Sequence, residues 1–202
     1  MGSALGRSLA SAGHRVTIGS RDPERARAIA GRLGAAAGTD YAGATAAGEV
    51  VILALPWQAV HAVVTGLPLD GKILIDVTNP YLDDTFDGQE AVWSVREELA
   101  AGESGAALIQ RMAPDARVVK AFNHIWANAA QRGFGAVRPA VFVCGDDAAA
   151  RDVVAGLARD IGYDPRDVGG LERAGWLEAL TPLVVALGDP AYALTMTRTD
   201  GG

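Results

Sequence analysis

The stretch Met1-Gly2-Ser3-Ala4-Leu5-Gly6-Arg7-Ser8-Leu9-Ala10 opens this chain and decides its fold. Gly2 and Gly6 stand four residues apart in a run of small and apolar residues. This pattern predicts the end of a glycine-rich turn that leads directly into a helix over Ser3–Ala12. Gly13 then ends the helix, because glycine readily adopts the left-handed backbone conformation that follows many helices.

In folds that bind a dinucleotide, such a turn normally follows a buried strand. We therefore expect a strand and two further glycines before Met1, with that strand lying between Arg15–Gly19 and Glu49–Leu55 in the sheet. Its loss would expose the edges of both neighbouring strands and remove part of the pyrophosphate cradle. We accordingly interpret Met1 as an internal methionine taken for the start, or as the start of a partial gene product.

The composition indicates a soluble globular protein. Of the 202 residues, 50% are hydrophobic and 21% are charged, and the net charge of −6 argues against nucleic acid or an anionic membrane as a partner. Charged residues interrupt every apolar run, so we expect no signal peptide, no membrane span and a cytoplasmic location. Cys144 is the only cysteine, which excludes an internal disulfide, and its apolar surroundings predict a buried strand thiol.

Short apolar runs alternate with helical patterns along the chain. The predicted strands are Arg15–Gly19, Glu49–Leu55, Lys72–Val77, Arg117–Ala121, Ala140–Cys144 and about Asp164–Val168. The predicted later helices are Pro23–Gly34 with Asp22 as its N-cap, Gln58–Thr65, about Gly105–Met112, Ala148–Ile161 and Leu171–Leu187. This alternation predicts an α/β fold of the Rossmann-like, doubly wound type, in which helices cover both faces of a mainly parallel sheet.

We expect residues 1–202 to form a single domain, with the helices at about 171–188 packed on it. The polar stretch Tyr81–Gly105 is interpreted as an excursion over the ligand site with a helix in Val92–Ala100, and the tail 195–202 as disordered. The last helix is apolar almost all round, which predicts a homodimer built partly from Trp176, Leu177, Leu180 and Leu183–Leu187.

Ligands of an open parallel sheet bind beyond the carboxyl ends of its strands. At one such end, Ser20 and Arg21 stand where NAD-binding folds usually carry an acid for the ribose hydroxyls, and Arg25 follows one helical turn later. Guanidinium groups bind phosphate through paired hydrogen bonds, and a helix N-terminus favours an anion. The residues therefore favour NADP over NAD, although Ser-Arg alone also fits a solvated turn and Asp22 would repel phosphate unless it caps the helix.

Two further strand ends contribute polar or exposed groups. Leu55 and Pro56 with Trp57 form either a strand stop with a packed indole or a backbone wall beside the nicotinamide ribose. Thr78 and Asn79 either hydrogen-bond cofactor or substrate, or belong to an ordinary Asn-Pro turn.

The next strand end carries Phe122, Asn123 and His124, and the histidine is either a general acid or a ring that lines the pocket. Three histidines and one cysteine without ligand spacing argue against a metal site, and no nucleophile elbow supports hydrolysis. No catalytic side chain is assigned. The predicted cofactor-binding residues are Gly2, Ser20, Arg21, Arg25, Leu55, Pro56, Thr78, Asn79, Phe122 and Asn123.

In their order and spacing, these segments resemble the NADP oxidoreductases that use the deazaflavin coenzyme F420. The resemblance covers nearly the whole chain. It is carried by Met1–Gly6, Thr17–Arg21, Val51–Pro56, Asp76–Pro80, Val119–Asn123, Val141–Asp146, Gly170–Ala174 and Trp176–Glu178.

The resemblance implies hydride exchange between NADP(H) and F420 without a metal or a covalent intermediate, so that the protein supplies positioning and electrostatics. NADP would lie across Gly2 and the Ser20, Arg21 and Arg25 corner toward Pro56. The second ring would stack near Thr78–Pro80 and Phe122–His124. Two alternatives remain: an NADP-dependent reductase of a flavin or a small imine or carbonyl substrate, and a truncated, non-catalytic NADP-binding relative.

Overall fold

Helices and strands alternate through the protein, as the apolar runs predict. A computed structural model describes residues 1–80, 103–125, 127, 135–186 and 193–197. The first elements are α1 (Gly2–Ser11), β1 (Thr17–Gly19), α2 (Pro23–Leu33), β2 (Ala37–Thr39), α3 (Tyr41–Ala47), β3 (Val50–Leu53), α4 (Trp57–Val64) and β4 (Ile73–Asp76). They are followed by α5 (Gly105–Met112), β5 (Arg117–Lys120), β6 (Ala140–Cys144), α6 (Ala148–Asp160), β7 (Asp164–Gly169), a 3₁₀ turn (Leu171–Arg173) and α7 (Ala174–Ala186).

Some predicted segments lie partly or wholly outside the described residues. These are the helix in Val92–Ala100, most of the excursion from Tyr81 to Gly105, and the end of the tail. Just before the predicted tail, the carbonyl of Leu194 accepts a hydrogen bond from the amide of Ala140 at 2.7 Å, and within the described part of the tail the carbonyl of Met196 accepts one from Arg166 at 3.5 Å. None of the described helices is long and apolar enough to span a membrane.

The described strands form two sheets, β1-β2 and β3-β4-β5-β6-β7. All pairs are parallel except β5 with β6, which are antiparallel through Lys120 and Cys144. The prediction of a mainly parallel, Rossmann-like fold is confirmed. The two sheets are separate at the place where the sequence analysis puts a further strand, because β1 and β3 do not pair.

Two apolar cores cover the two faces of the larger sheet, and the alternation of strand residues assigns them. Leu74 and Val118 face the core that contains Trp57 of α4, Ile109 of α5 and Leu177 of α7. On the other face, Ile75 and Val119 pack with Leu5 of α1 and Val154 of α6. The strand-end residues of β4 and β5 are consequently buried from both sides.

Two elements, β2 and α3, were not predicted, because their alanine, glycine and threonine residues give no apolar periodicity. Gly38 of β2 shows what holds this region together. A Cβ built on Gly38 would lie 2.3 Å from the carbonyl carbon of Ala26, so the strand lies directly against the backbone of α2. Only glycine permits this close approach.

Candidate functional site

A cavity of about 630 Å³ lies between β1, β3 and α1. Its lining runs from Val16 and Val50 at one end to the strand ends at the other. It brings together five of the predicted cofactor-binding residues, namely Gly2, Ser20, Arg21, Arg25 and Leu55. These residues come from α1, the β1–α2 turn and the end of β3, which the alternating fold places at the same edge of the sheet.

Helix α1 approaches the strands closely enough to present its first turn to this cavity. A Cβ on Gly2 would lie 3.1 Å from the Cβ of Ala54, and a Cβ on Gly6 would lie 3.3 Å from Cδ1 of Ile18. In the described structure no side chain caps the N-terminus of α1. Gly2, Ser3 and Ala4 of this turn line the cavity, so the positive end of the helix dipole faces it and favours an anionic group there.

The β1–α2 turn forms a cationic corner. Asp22 is the N-cap of α2, as predicted, because its Oδ1 accepts hydrogen bonds from the amides of Glu24 at 2.9 Å and Arg25 at 3.3 Å. Its carboxylate is thus engaged by the helix. The side chains of Arg21 and Arg25 are exposed, and neither has an ion pair with any residue of the described segments.

The later predicted residues meet in a second cluster, outside the lining of that cavity. The Nδ2 of Asn79 donates to the carbonyl of Asn123 at 3.0 Å, and the Nδ2 of Asn123 donates back to Oδ1 of Asn79 at 3.0 Å. Thr181 of α7 completes the cluster, because its hydroxyl donates to Oδ1 of Asn79 at 3.1 Å. Thr78 lies beside them and is buried with 4% of its surface exposed.

Not every predicted residue can present its side chain to a ligand. Phe122 is 2% exposed and packs edge-on against Tyr163, with ring centroids 5.8 Å apart, so only its backbone is available. That backbone has φ = 62°, a left-handed conformation that is costly for a bulky residue and marks a constrained turn. Pro56 is exposed at the end of β3, whereas the indole of Trp57 is buried in the core.

His124 does not suit the role of a general acid. The ring is 4% exposed, and its Nε2 lies 3.4 Å from the carbonyl of Ala140. Burial lowers the pKa of His124 from 6.5 to about 4, so the ring is neutral near pH 7. The prediction of a buried thiol is confirmed for Cys144, which is fully buried in β6, and burial raises its pKa to about 12.

Sequence reasoning missed a buried charge network formed by Asp76, Lys120 and Glu178. All three side chains are at most 1% exposed, although they lie at strand ends and on α7. Burial alone would lower the pKa of Lys120, but the two carboxylates outweigh it and hold the pKa above its usual value. An acid and a lysine at the ends of neighbouring apolar strands were the available sequence signal.

The geometry provides a nucleotide-sized cavity, an anion-binding helix end and a cationic corner, and the described residues include no cluster of ligands for a metal ion. These features define a dinucleotide-binding protein of the Rossmann-like class. The family model for the coenzyme F420-dependent NADP oxidoreductases matches residues 1–80.

Curated relatives extend this match to most of the chain. The F420-dependent NADP reductase of Methanothermobacter marburgensis is 35% identical over 197 residues, which cover 92% of this chain and 87% of that protein. The metalloreductase STEAP3 of Rattus norvegicus is 32% identical over 196 residues, or 92% of this chain, but the chain spans only 37% of its length.

A crystal structure of a putative F420-dependent NADP reductase from Arthrobacter has the same fold. It superimposes with a TM-score of 0.80 at 31% identity and covers 98% of this chain and 94% of its own. The chain therefore belongs to the family of coenzyme F420-dependent NADP oxidoreductases and is an NADP-dependent oxidoreductase by class.

Proposed function

We propose that the protein binds NADP(H) at the strand-end side of the cavity and transfers hydride between it and the deazaflavin F420. The observation that carries the nucleotide part is the cationic corner, where Arg21 and Arg25 are exposed and unpaired among the described residues while Asp22 is engaged as a helix cap. Two guanidinium groups beside a helix N-terminus suit the 2′-phosphate that distinguishes NADP from NAD.

The rest of the nucleotide fits the remaining lining. A side chain at Gly2 would crowd Ala54, so the absence of a Cβ lets the first turn of α1 lie close to the end of β3, where its amides would meet the pyrophosphate. Leu55 lines the cavity after β3, and with the exposed Pro56 next to it would provide an apolar wall toward which the nicotinamide end would extend.

The second ring is proposed to lie beside the Thr78–Asn79 turn and the Phe122–Asn123 backbone. When bound, NADPH would provide the hydride for reduction of the deazaflavin, and the accompanying proton would come from solvent. The chain itself would orient the two rings, and the side-chain amides of Asn79 and Asn123, fixed by their mutual hydrogen bonds, would contribute oriented dipoles beside them. The assignment of F420 rests on family membership and on the long match to an F420-dependent NADP reductase.

Hydride transfer can be tested by mixing the purified protein with NADPH and oxidised F420 and following the loss of the deazaflavin's visible absorbance. FMN, FAD and a cyclic imine serve as alternative acceptors, because the similarity to a metalloreductase shows that relatives at this identity differ in acceptor. Turnover with F420 alone supports the proposal. Turnover only with a flavin or imine assigns the protein to the alternative reductases, and NADPH binding without any turnover indicates a non-catalytic relative.

We also propose a homodimer whose interface includes α7. On this helix Leu177 is buried in the core and Val184 is 6% exposed, whereas Trp176 and Leu183 are 70% and 65% exposed and lie one heptad apart on the solvent-facing side. Large exposed apolar side chains at this spacing are typical of a helix that packs against another chain. Light scattering after size exclusion tests this, since Trp176→Ser with Leu183→Ser should yield the monomer mass; a monomeric wild-type protein would contradict the proposal.

A further inference from the structure

The buried charge network joins four elements at the candidate site. Asp76 and Lys120 are paired in register at the ends of β4 and β5, and Nζ of Lys120 lies 2.8 Å from Oδ2 of Asp76. The same ammonium donates to the carbonyl of Thr78 at 2.6 Å and lies 3.0 Å from Oε1 of Glu178. These three partners use all three protons of the ammonium.

Glu178 extends the network from the strands to two helices. It belongs to α7, and its carboxylate accepts hydrogen bonds from the amides of Gly105 at 3.1 Å and Ala106 at 3.2 Å, in the first turn of α5. The positive end of α5 thereby offsets part of the second negative charge. The ends of β4 and β5, α5 and α7 are consequently held together by one ammonium and two carboxylates.

Thr78 is fixed from three directions by this network. Its amide and its hydroxyl donate to Oδ1 of Asp76 at 2.8 and 2.7 Å, and its carbonyl accepts from Lys120. Asn79, the next residue, is held by Asn123 and by Thr181, which lies three residues after Glu178 on α7. Lys120 therefore helps to hold the Thr78–Asn79 turn, which carries one of the amides proposed to face the second ring, through its bonds to Thr78 and Asp76.

Stability alone does not explain such a network. Burying an ammonium with two carboxylates carries a large desolvation penalty, and apolar residues of similar size are often as stable. Its distinctive property is geometric, because directional charged hydrogen bonds define one position for the turn relative to α7.

We propose that Lys120 is a positioning residue of the oxidoreductase, which holds the Thr78–Asn79 turn in register with Asn123 and α7 and so sets the geometry of the second ring. This inference rests on the proposed function for its catalytic consequence. The order of the Thr78–Asn79 turn can be measured without any enzymatic assay.

The test compares three variants with the wild-type protein. Lys120→Met removes the ammonium but keeps most of the side-chain volume. Lys120→Met with Glu178→Gln removes one positive and one negative charge, so the network keeps its net charge of −1 while Asp76 retains its bonds to Thr78. The matched control is Lys72→Met, since Lys72 bonds the carbonyl of Gly48 at the opposite end of β4.

Each folded variant is assayed for thermal unfolding, for kcat and for the KM of NADPH, with 4-deuterated NADPH to measure the kinetic isotope effect. We expect Lys120→Met to lower kcat by about 10- to 100-fold, because small misplacements of reacting groups have effects of this size. The KM for NADPH should stay within about threefold, since the cationic corner is unchanged, and the isotope effect should rise as hydride transfer becomes limiting. Lys72→Met should match the wild type.

The double variant separates positioning from stability. Positioning predicts that it regains part of the thermal stability lost in Lys120→Met, because one buried carboxylate instead of two lacks a cation and Asp76 keeps its hydrogen bonds to Thr78, while kcat remains low. Recovery of kcat together with stability would overturn the proposal, and so would an unchanged kcat in Lys120→Met. If Lys120→Met does not fold, Glu178→Gln, which keeps the shape of the side chain, takes its place with the same expectations.

Amide hydrogen exchange supplies the readout that does not depend on F420. The Thr78 backbone amide and the side-chain amides of Asn79 and Asn123 should exchange faster in the Lys120→Met protein than in the Lys72→Met protein. A wild-type protein without hydride transfer to F420 refutes the proposed function, and faster exchange then still establishes that Lys120 holds the turn. Unchanged exchange refutes the positioning role whatever the acceptor.

Discussion

Removal of the two arginines of the cationic corner should weaken the binding of NADPH and leave the binding of NADH unchanged. Arg21 and Arg25 lie beside the cavity, and Asp22 between them is engaged by the amides of α2 rather than by either guanidinium. The phosphate on the adenosine ribose is the only group that differs between the two cofactors. An effect confined to NADPH therefore reports this contact alone.

The magnitude follows from the exposure of the two side chains. A hydrogen bond to a charged group contributes about 1.5–3 kcal/mol, and we take about 1–1.4 kcal/mol for each arginine because water screens exposed charges. Since about 1.4 kcal/mol corresponds to a tenfold change in Kd, each single alanine variant should bind NADPH about 5- to 10-fold more weakly. The double variant should lose about 25- to 100-fold if the two contributions add.

Fluorescence titration with NADPH and with NADH measures both dissociation constants. Arg27→Ala is the matched control, because Arg27 is an exposed arginine of the same helix that is paired with Glu24 instead. The wild-type affinity for NADPH should fall with added salt more steeply than that of the double variant. Equal losses for NADPH and NADH, or an equal effect of Arg27→Ala, would refute the assignment of the phosphate to this corner.

Three further predictions concern stability and reactivity. In denaturant titration, Gly38→Ala should destabilise the protein by about 1–3 kcal/mol or more, because the added Cβ would meet the backbone of α2. The control Gly31→Ala, whose Cβ would meet nothing within 4 Å, should be neutral or stabilising, and equal effects of the two variants would contradict the close approach at Gly38. Cys144 should resist iodoacetamide at pH 8 until the protein is unfolded, since its thiol is buried and its pKa is raised to about 12, and rapid labelling of the native protein would contradict this. Burial gives His124 a folded pKa of about 4 against 6.5 for a free side chain, so on acidification the unfolded state binds a proton first and the free energy of unfolding should fall between pH 6.5 and 4. The His124→Phe variant should show a flatter pH dependence of this free energy, and an unchanged dependence would show that the ring protonates in the folded protein.

Sequence alone determined the elements with strong local signals. Asp22, Pro23 and Gly34 mark the two ends of α2 because capping and backbone preferences act within a few residues. The apolar runs located six of the seven described strands, although β1 begins at Thr17 rather than Arg15, and the predicted helix Leu171–Leu187 starts as a 3₁₀ turn. Gly2 and the Ser20–Arg21 turn were singled out from short local motifs, and the structure places them in the lining of one cavity, while their binding roles stay predictions.

Tertiary structure alone decided the features that depend on contacts between distant residues. The strand β2 packs directly on the backbone of α2 through Gly38, and no periodicity in the sequence predicts this contact. Phe122 looks like a ligand contact in sequence, but its ring is buried in the core that contains Tyr163. Glu178 reaches Lys120 and the first turn of α5 across more than 50 residues of chain. Sequence patterns report local preference and burial, whereas the pairing of buried charges depends on distances that exist only once the helices have packed on the sheet.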